Sequence, residues 1–116
     1  MIEKPAFIQG CFVFHGHGLD RPTPFEPSVT YTVPADKRAQ TIYFRAGNAA
    51  AELIYLVMTK NGRFMRFFPV GAKSAIHVPL AVVEDLSPES RIEILIAAPD
   101  GLESTAVLDV GFMEIA

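Results

Sequence analysis

The sequence has no tryptophan, only three tyrosines and a single cysteine, Cys11. One cysteine excludes an internal disulfide and fits a reducing, cytoplasmic compartment. Positive charge is not in surplus: 10 Lys and Arg stand against 13 Asp and Glu, a net charge of −3 with a pI near 5.5. An acidic chain without a basic stripe cannot displace counterions from nucleic acid, so that partner class is set aside. No apolar run approaches the roughly 18 residues of a membrane-spanning helix. The opening Met1-Ile2-Glu3-Lys4-Pro5 lacks the basic start and apolar stretch of a secretory signal peptide. Gly16, Gly18 and Gly71 are isolated, so no glycine-rich phosphate cradle is present, and Gly-x-Ser-x-Gly is absent. Glu84 and Asp85 are adjacent, so on a strand they point to opposite faces and cannot share a glycosidic bond. The sequence therefore carries no complete catalytic set.

What remains is a chain that is 50% hydrophobic and cut into short apolar segments by nine prolines and eight glycines. Segments of this length, rich in Val, Ile, Phe, Tyr and Thr and separated by turn residues, read as strands. Eight are expected: about 6–14, 28–33, 41–46, 52–59, 63–70, 75–83, 92–96 and 105–115. In the third, alternation places Ile42, Phe44 and Ala46 inward and Thr41, Tyr43 and Arg45 outward. Asn61-Gly62 supplies the two positive-φ positions of a type I′ hairpin turn. Gly111 marks a bulge or a close approach in the last strand. Ser87-Pro88-Glu89-Ser90 has the chemistry of one capped helical turn.

One segment admits two readings. Asn48 can cap a helix over residues 49–60, which would make the fold α+β. Leu53 to Met58, however, is apolar on all sides, as a doubly covered strand requires and a surface helix does not. The expected fold is a single all-β domain over residues 1–116, an antiparallel sandwich or jelly roll of about eight strands. The longest irregular stretch, residues 16–27, reads as an ordered surface loop. The apolar surplus in the fourth and sixth strands points to a homo-oligomer, in its simplest form an isologous dimer.

Three groups of residues carry possible chemistry. Cys11, Val13, His15 and His17 share one strand parity. His15 and His17 lie about 6.6 Å apart along an extended strand and can reach one divalent metal. Cys11, about 13 Å from His15, is expected to be an inert core residue. In the hairpin, Arg63, Met65 and Phe67 share one face, and Phe64, Arg66 and Phe68 the other, which pairs Arg66 with aromatic rings. On the third strand, Tyr43 and Arg45 face outward with Asn48 following. Sugar-binding sandwich modules use such residues to stack on a ligand ring and to bond its hydroxyls.

Gly10, His15 and His17 resemble the start of the first motif of the cupin family, His-x-His followed by Glu. Gly62, Pro69, Gly71 and His77 resemble a stretched form of the second. Glu26 follows His17 by nine residues where the family has four or five, and His77 follows Gly71 by six where it has three. The resemblance implies a jelly-roll enzyme with a divalent metal held by His15, His17, Glu26 and His77.

The leading expectation is a non-catalytic β-sandwich module that binds a small polar ligand through Tyr43, Arg45, Asn48 and Arg66, or assembles with its own copies, and that needs no cofactor. The alternatives are the cupin-like metal enzyme and a carbohydrate-binding module.

Overall fold

The computed structural model describes residues 3–80 and 84–116. Nine strands follow in order: β1 (Glu3–His15), β2 (Thr23–Thr32), β3 (Arg38–Asn48), β4 (Ile54–Lys60), β5 (Arg63–Val70), β6 (Ala75–Pro79), β7 (Asp85–Leu86), β8 (Arg91–Ala97) and β9 (Glu103–Ile115). They form two antiparallel sheets. The first runs β1-β9-β3-β6, with β7 also paired to β3, and the second runs β2-β8-β4-β5. The chain is an all-β sandwich, and the described residues contain no helix.

The inner faces interleave by simple alternation. Ile8 and Phe14 from β1, Phe44 and Ala46 from β3 and Leu108, Val110 and Phe112 from β9 point inward from the first sheet. Ile54, Leu56 and Met58 from β4, Phe68 and Val70 from β5 and Ile92, Ile94 and Ile96 from β8 meet them from the second. Phe44 and Phe68 stack across the gap, with ring centres 3.8 Å apart and planes 2° from parallel. Burying each such side chain contributes on the order of 1.5–3 kcal/mol. At one edge Tyr31 of β2 stacks on Phe112 of β9 at 4.3 Å, and its hydroxyl donates to buried Glu114 Oε2 at 2.6 Å.

Among the strands of the described residues, only β4 and β5 are both consecutive and paired, joined by the expected tight turn with Asn61 at φ 51° and Gly62 at φ 82°. The segment with two readings is a strand from Ile54. Val57 lies on the outer face yet is 0% exposed, between partners Phe67 and Leu95 on either side. Ile54, Leu56 and Met58 on the inner face and Val57 on the outer one are all buried, whereas a surface helix would have left one apolar side in water.

Five expectations need correction. β2 begins at Thr23, so the connection after β1 is shorter than the loop expected over 16–27. The sixth strand ends at Pro79, and the part of its expected range at 81–83 lies outside the described residues. Ser87 to Ser90 is a turn: Ser90 N–H bonds to Ser87 O at 3.1 Å, and Glu89 takes a positive φ of 68° that no right-handed helical turn contains.

The other two corrections are bulges. The β3–β9 register shifts between Thr41 and Tyr43, so Thr41 turns inward and is buried while Ile42 is 40% exposed. The β4–β5 register shifts between Met58 and Thr59, leaving Met65 as the extra residue. Phe64 and Phe67 then share the outer face, 58% and 57% exposed, with rings edge-to-face at 5.6 Å. An extra residue reverses the side-chain alternation beyond it, so parity read along the sequence fails at each bulge.

Candidate functional site

Register brings four polar residues from four strands into one row on the outer face of the first sheet. Gln9 of β1 stands opposite Asp109 of β9, Asp109 opposite Arg45 of β3, and Arg45 opposite His77 of β6. Asp109 is the hub. Its Oδ1 accepts from Gln9 Nε2 at 3.1 Å and from the Tyr43 hydroxyl at 2.8 Å, and its Oδ2 pairs with Arg45 Nη1 at 3.7 Å. The Tyr43 ring meets His77 edge-on, centres 6.1 Å apart.

Gly111 makes this arrangement possible. It pairs with Tyr43 across the ladder, and a β-carbon there would sit 2.1 Å from Tyr43 Cε2. The absence of that carbon lets the ring lie flat over β9 with its hydroxyl aimed at Asp109. The sequence expectation of a close approach at Gly111 is met, while the bulge lies on the partner strand.

The electrostatics follow from the contacts. The hydrogen bond from Tyr43, then that from Gln9 and the charge of Arg45, hold the Asp109 carboxyl below its usual pKa against a smaller opposing effect of burial. Partial burial, then the bond to Asp109, push the Tyr43 phenol up. At neutral pH the row therefore presents an ionised acceptor at Asp109, a neutral phenol and the Arg45 guanidinium. A carboxyl tuned this way is a poor proton donor and a firm hydrogen-bond acceptor.

Beside the polar row runs a low apolar one. Val107 stands opposite Cys11 on one side and Gly47 on the other, and Gly47 opposite Ala75. Small side chains here leave a depression of about 540 Å³ bounded by Arg45, His77, Val107 and Asp109.

The structure keeps Tyr43 and Arg45 on this face and separates the rest of the expected set. Asn48 ends β3 pointing inward and is buried. Its Nδ2 is shared among the carbonyls of Glu52 at 2.8 Å, Gly71 at 3.1 Å and Val70 at 3.3 Å, while its Oδ1 accepts from Ala50 N at 2.9 Å. It ties the 49–53 connection to the end of β5 and has no capacity left for a ligand. Arg66, half-buried on β5, pairs with Glu84 Oε1 at 3.3 Å and borders a different depression with Phe68, Ile76 and Val78.

The expected four-residue metal set does not assemble either. His15, His17 and Glu26 line one depression at the end of β1, whereas His77 lies on β6, three strands away. Three strand spacings amount to roughly 14 Å, too far to share one ion. Among the described residues, no three of His, Cys, Asp or Glu are grouped to hold a metal. Cys11 is exposed on the outer face of β1, not in the core. It shares that exposed face with Val13 and His15, so the expected parity holds and the expected burial does not.

Sequence reasoning missed Gln9 and Asp109 and gave His77 another role. Asp109 had a local signal, as the lone charge in the apolar run from Ala106 to Met113. Gln9 had none.

No protein-family model matches the chain, and no curated protein matches it. Solved structures do. The CBM36-1 domain of a multidomain xylanase from the hindgut metagenome of Trinervitermes trinervoides superposes with a TM-score of 0.59 at 13% identity, covering 97% of this chain and 98% of that one. A family 35 carbohydrate-binding module from Clostridium thermocellum gives 0.56 at 14% identity, covering 94% and 97%. A chain of infectious bursal disease virus, Gx strain, gives 0.56 at 8% identity, but this chain matches 31% of its length. The shared property is the fold, a jelly-roll-type β-sandwich.

Proposed function

We propose that this protein is a carbohydrate-binding module whose ligand lies on the outer face of the β1-β9-β3-β6 sheet. The observation that carries the reading is the pairing of two adjacent rows, one of fixed donors and acceptors and one of small apolar groups. A sugar ring has the same division. Its equatorial hydroxyls both donate and accept, and its axial C–H groups form an apolar face. Asp109 accepts from a hydroxyl, Arg45 and His77 donate to its neighbours, and Val107 lies under the C–H face beside Gly47 and Ala75. The end-to-end likeness to two carbohydrate-binding modules supports the same reading. In this reading Asp109, held ionised, serves as the acceptor for a sugar hydroxyl.

A glycan array followed by calorimetry on the responding sugar tests this. Arg45→Ala and Asp109→Asn are each expected to weaken binding at least tenfold while the fold is retained. A wild-type protein silent across plant, bacterial and animal polysaccharides would contradict the proposal.

A second reading rests on the opposite face. Exposed Phe64 and Phe67, with half-buried Tyr55 and Leu95, make the outer side of the second sheet apolar, and the same face carries both signs of charge in Arg91 and Glu93, which pair at 3.3 Å. An apolar face of this kind is what an isologous homodimer would bury. Light scattering at high concentration decides it: a strict monomer removes this reading and leaves the sugar site untouched.

A further inference from the structure

We infer that the end of β1 is a divalent metal site of the zinc, nickel or copper type, formed by His15 and His17 with Glu103 behind them. It is separate from the sugar face proposed above and does not depend on it.

The backbone fixes both histidines before any ion arrives. Gly16, between them, donates its N–H to Leu102 O at 2.7 Å and accepts from Gly101 N–H at 2.9 Å, and Gly18 N–H bonds to Ala98 O at 2.8 Å. These bonds lock the strand end onto the β8–β9 connection. A β-carbon on Gly16 would lie 2.1 Å from Pro99 O, so a side chain has no room there. The chain leaves β1 with His15 and His17 on one side, their ring centres 5.0 Å apart and both facing the same depression of about 710 Å³.

That spacing is what a shared ion needs. With metal–nitrogen distances of about 2.0–2.1 Å, each imidazole centre stands about 3.2 Å from the ion, and a tetrahedral angle puts the two centres about 5.2 Å apart.

Glu103 settles the chemistry of His15. His15 Nδ1–H donates to Glu103 Oε1 at 2.9 Å, which leaves Nε2 with the free lone pair. A carboxylate on the far nitrogen orients a metal-binding ring, the usual outer-shell arrangement at zinc and copper. Two imidazoles favour borderline cations over calcium or magnesium, which take oxygen ligands. With two protein ligands, the remaining positions hold water and stay open to exchange.

Titration of tag-free protein with zinc chloride at neutral pH, by calorimetry, is the test. One ion per chain is expected. His15→Ala and His17→Ala abolish saturable binding, and Glu103→Gln weakens it roughly 10–100-fold. His77→Ala and Cys11→Ser, which remove the remaining imidazole and the one thiol, leave it unchanged. His15 and His17 are exposed, and a wild-type circular-dichroism spectrum confirms that their variants fold. The inference fails if wild-type protein shows no saturable uptake, if uptake survives both histidine variants, or if it is lost with His77 or Cys11 instead. Full-strength binding in Glu103→Gln removes the role given to that carboxylate.

Discussion

The Tyr43 ring lies over Gly111 of the neighbouring strand and donates its hydroxyl hydrogen to Asp109 Oδ1 at 2.8 Å. A residue without a side chain on one strand thus makes room for the hydrogen bond that lowers the pKa of a carboxylate two residues away on the same strand. Tyr43→Phe removes the largest cause of the lowered Asp109 pKa, and the carboxyl should titrate closer to the ordinary value of about 3.9. Because the folded pKa lies below the unfolded one, the stabilisation from Asp109 is present above about pH 4 and is lost as pH falls through the folded value. Carboxyl chemical shifts followed by NMR in wild type and variant check the shift directly. An unchanged Asp109 titration would mean that Tyr43 does not govern it.

Gly111→Ala should act through the same pair. The new methyl cannot coexist with the Tyr43 ring where it stands, so the ring must leave or the strands must part. A cost of about 1–3 kcal/mol in stability is expected, together with loss of the high Tyr43 pKa in a tyrosinate absorbance titration. A variant as stable as wild type, with the late phenol retained, would contradict the geometry.

Tyr31 and Glu114 join the two sheets. Burial, then the hydrogen bond to Glu114, raise the Tyr31 pKa well above the ordinary phenol value. The sign follows from linkage: a raised folded pKa stabilises fully below about pH 10, and that contribution is lost as pH climbs towards the folded value. Tyr31→Phe leaves buried Glu114 with Lys37 Nζ at 3.9 Å as its ion pair, and should cost about 1–3 kcal/mol at neutral pH. It should also flatten the loss of stability above pH 10. Urea unfolding across that pH range measures both effects.

Thr41, turned inward by the β3 bulge, has a buried hydroxyl with no hydrogen-bond partner among the described residues. Thr41→Val keeps the shape and removes the unpaired group. It should be neutral or stabilising by up to about 1 kcal/mol, whereas Thr59→Val, which breaks a 3.0 Å bond to Glu93 O, should destabilise. Thermal unfolding of the two variants side by side distinguishes them.

Much of this architecture is written locally. The alternation of Ile92, Ile94 and Ile96, the Asn61-Gly62 turn and the doubly apolar β4 each state their place in a sandwich within a few residues. The bulges at Ile42 and Met65 do not, because a bulge exists only relative to the partner strand. Parity alone therefore turns Thr41 outward and groups Phe64 with Arg66 and Phe68, and the structure reverses both. The polar row is less legible still. Gln9, Arg45, His77 and Asp109 meet through a strand order in which most connections cross between sheets, and no spacing along the chain encodes that order. Tyr43 and Arg45 were readable because outward parity needs only one strand. Asn48 was misplaced because its amide is consumed by a loop whose path is set by tertiary contact.

The most direct test of the sugar-binding face is a backbone-amide and side-chain shift map recorded while a responding oligosaccharide is added. The account predicts perturbations centred on Gln9, Tyr43, Arg45, His77, Val107 and Asp109, with the β2-β8-β4-β5 face silent. Perturbations centred on Phe64 and Phe67, or at the His15–His17 end alone, would contradict it.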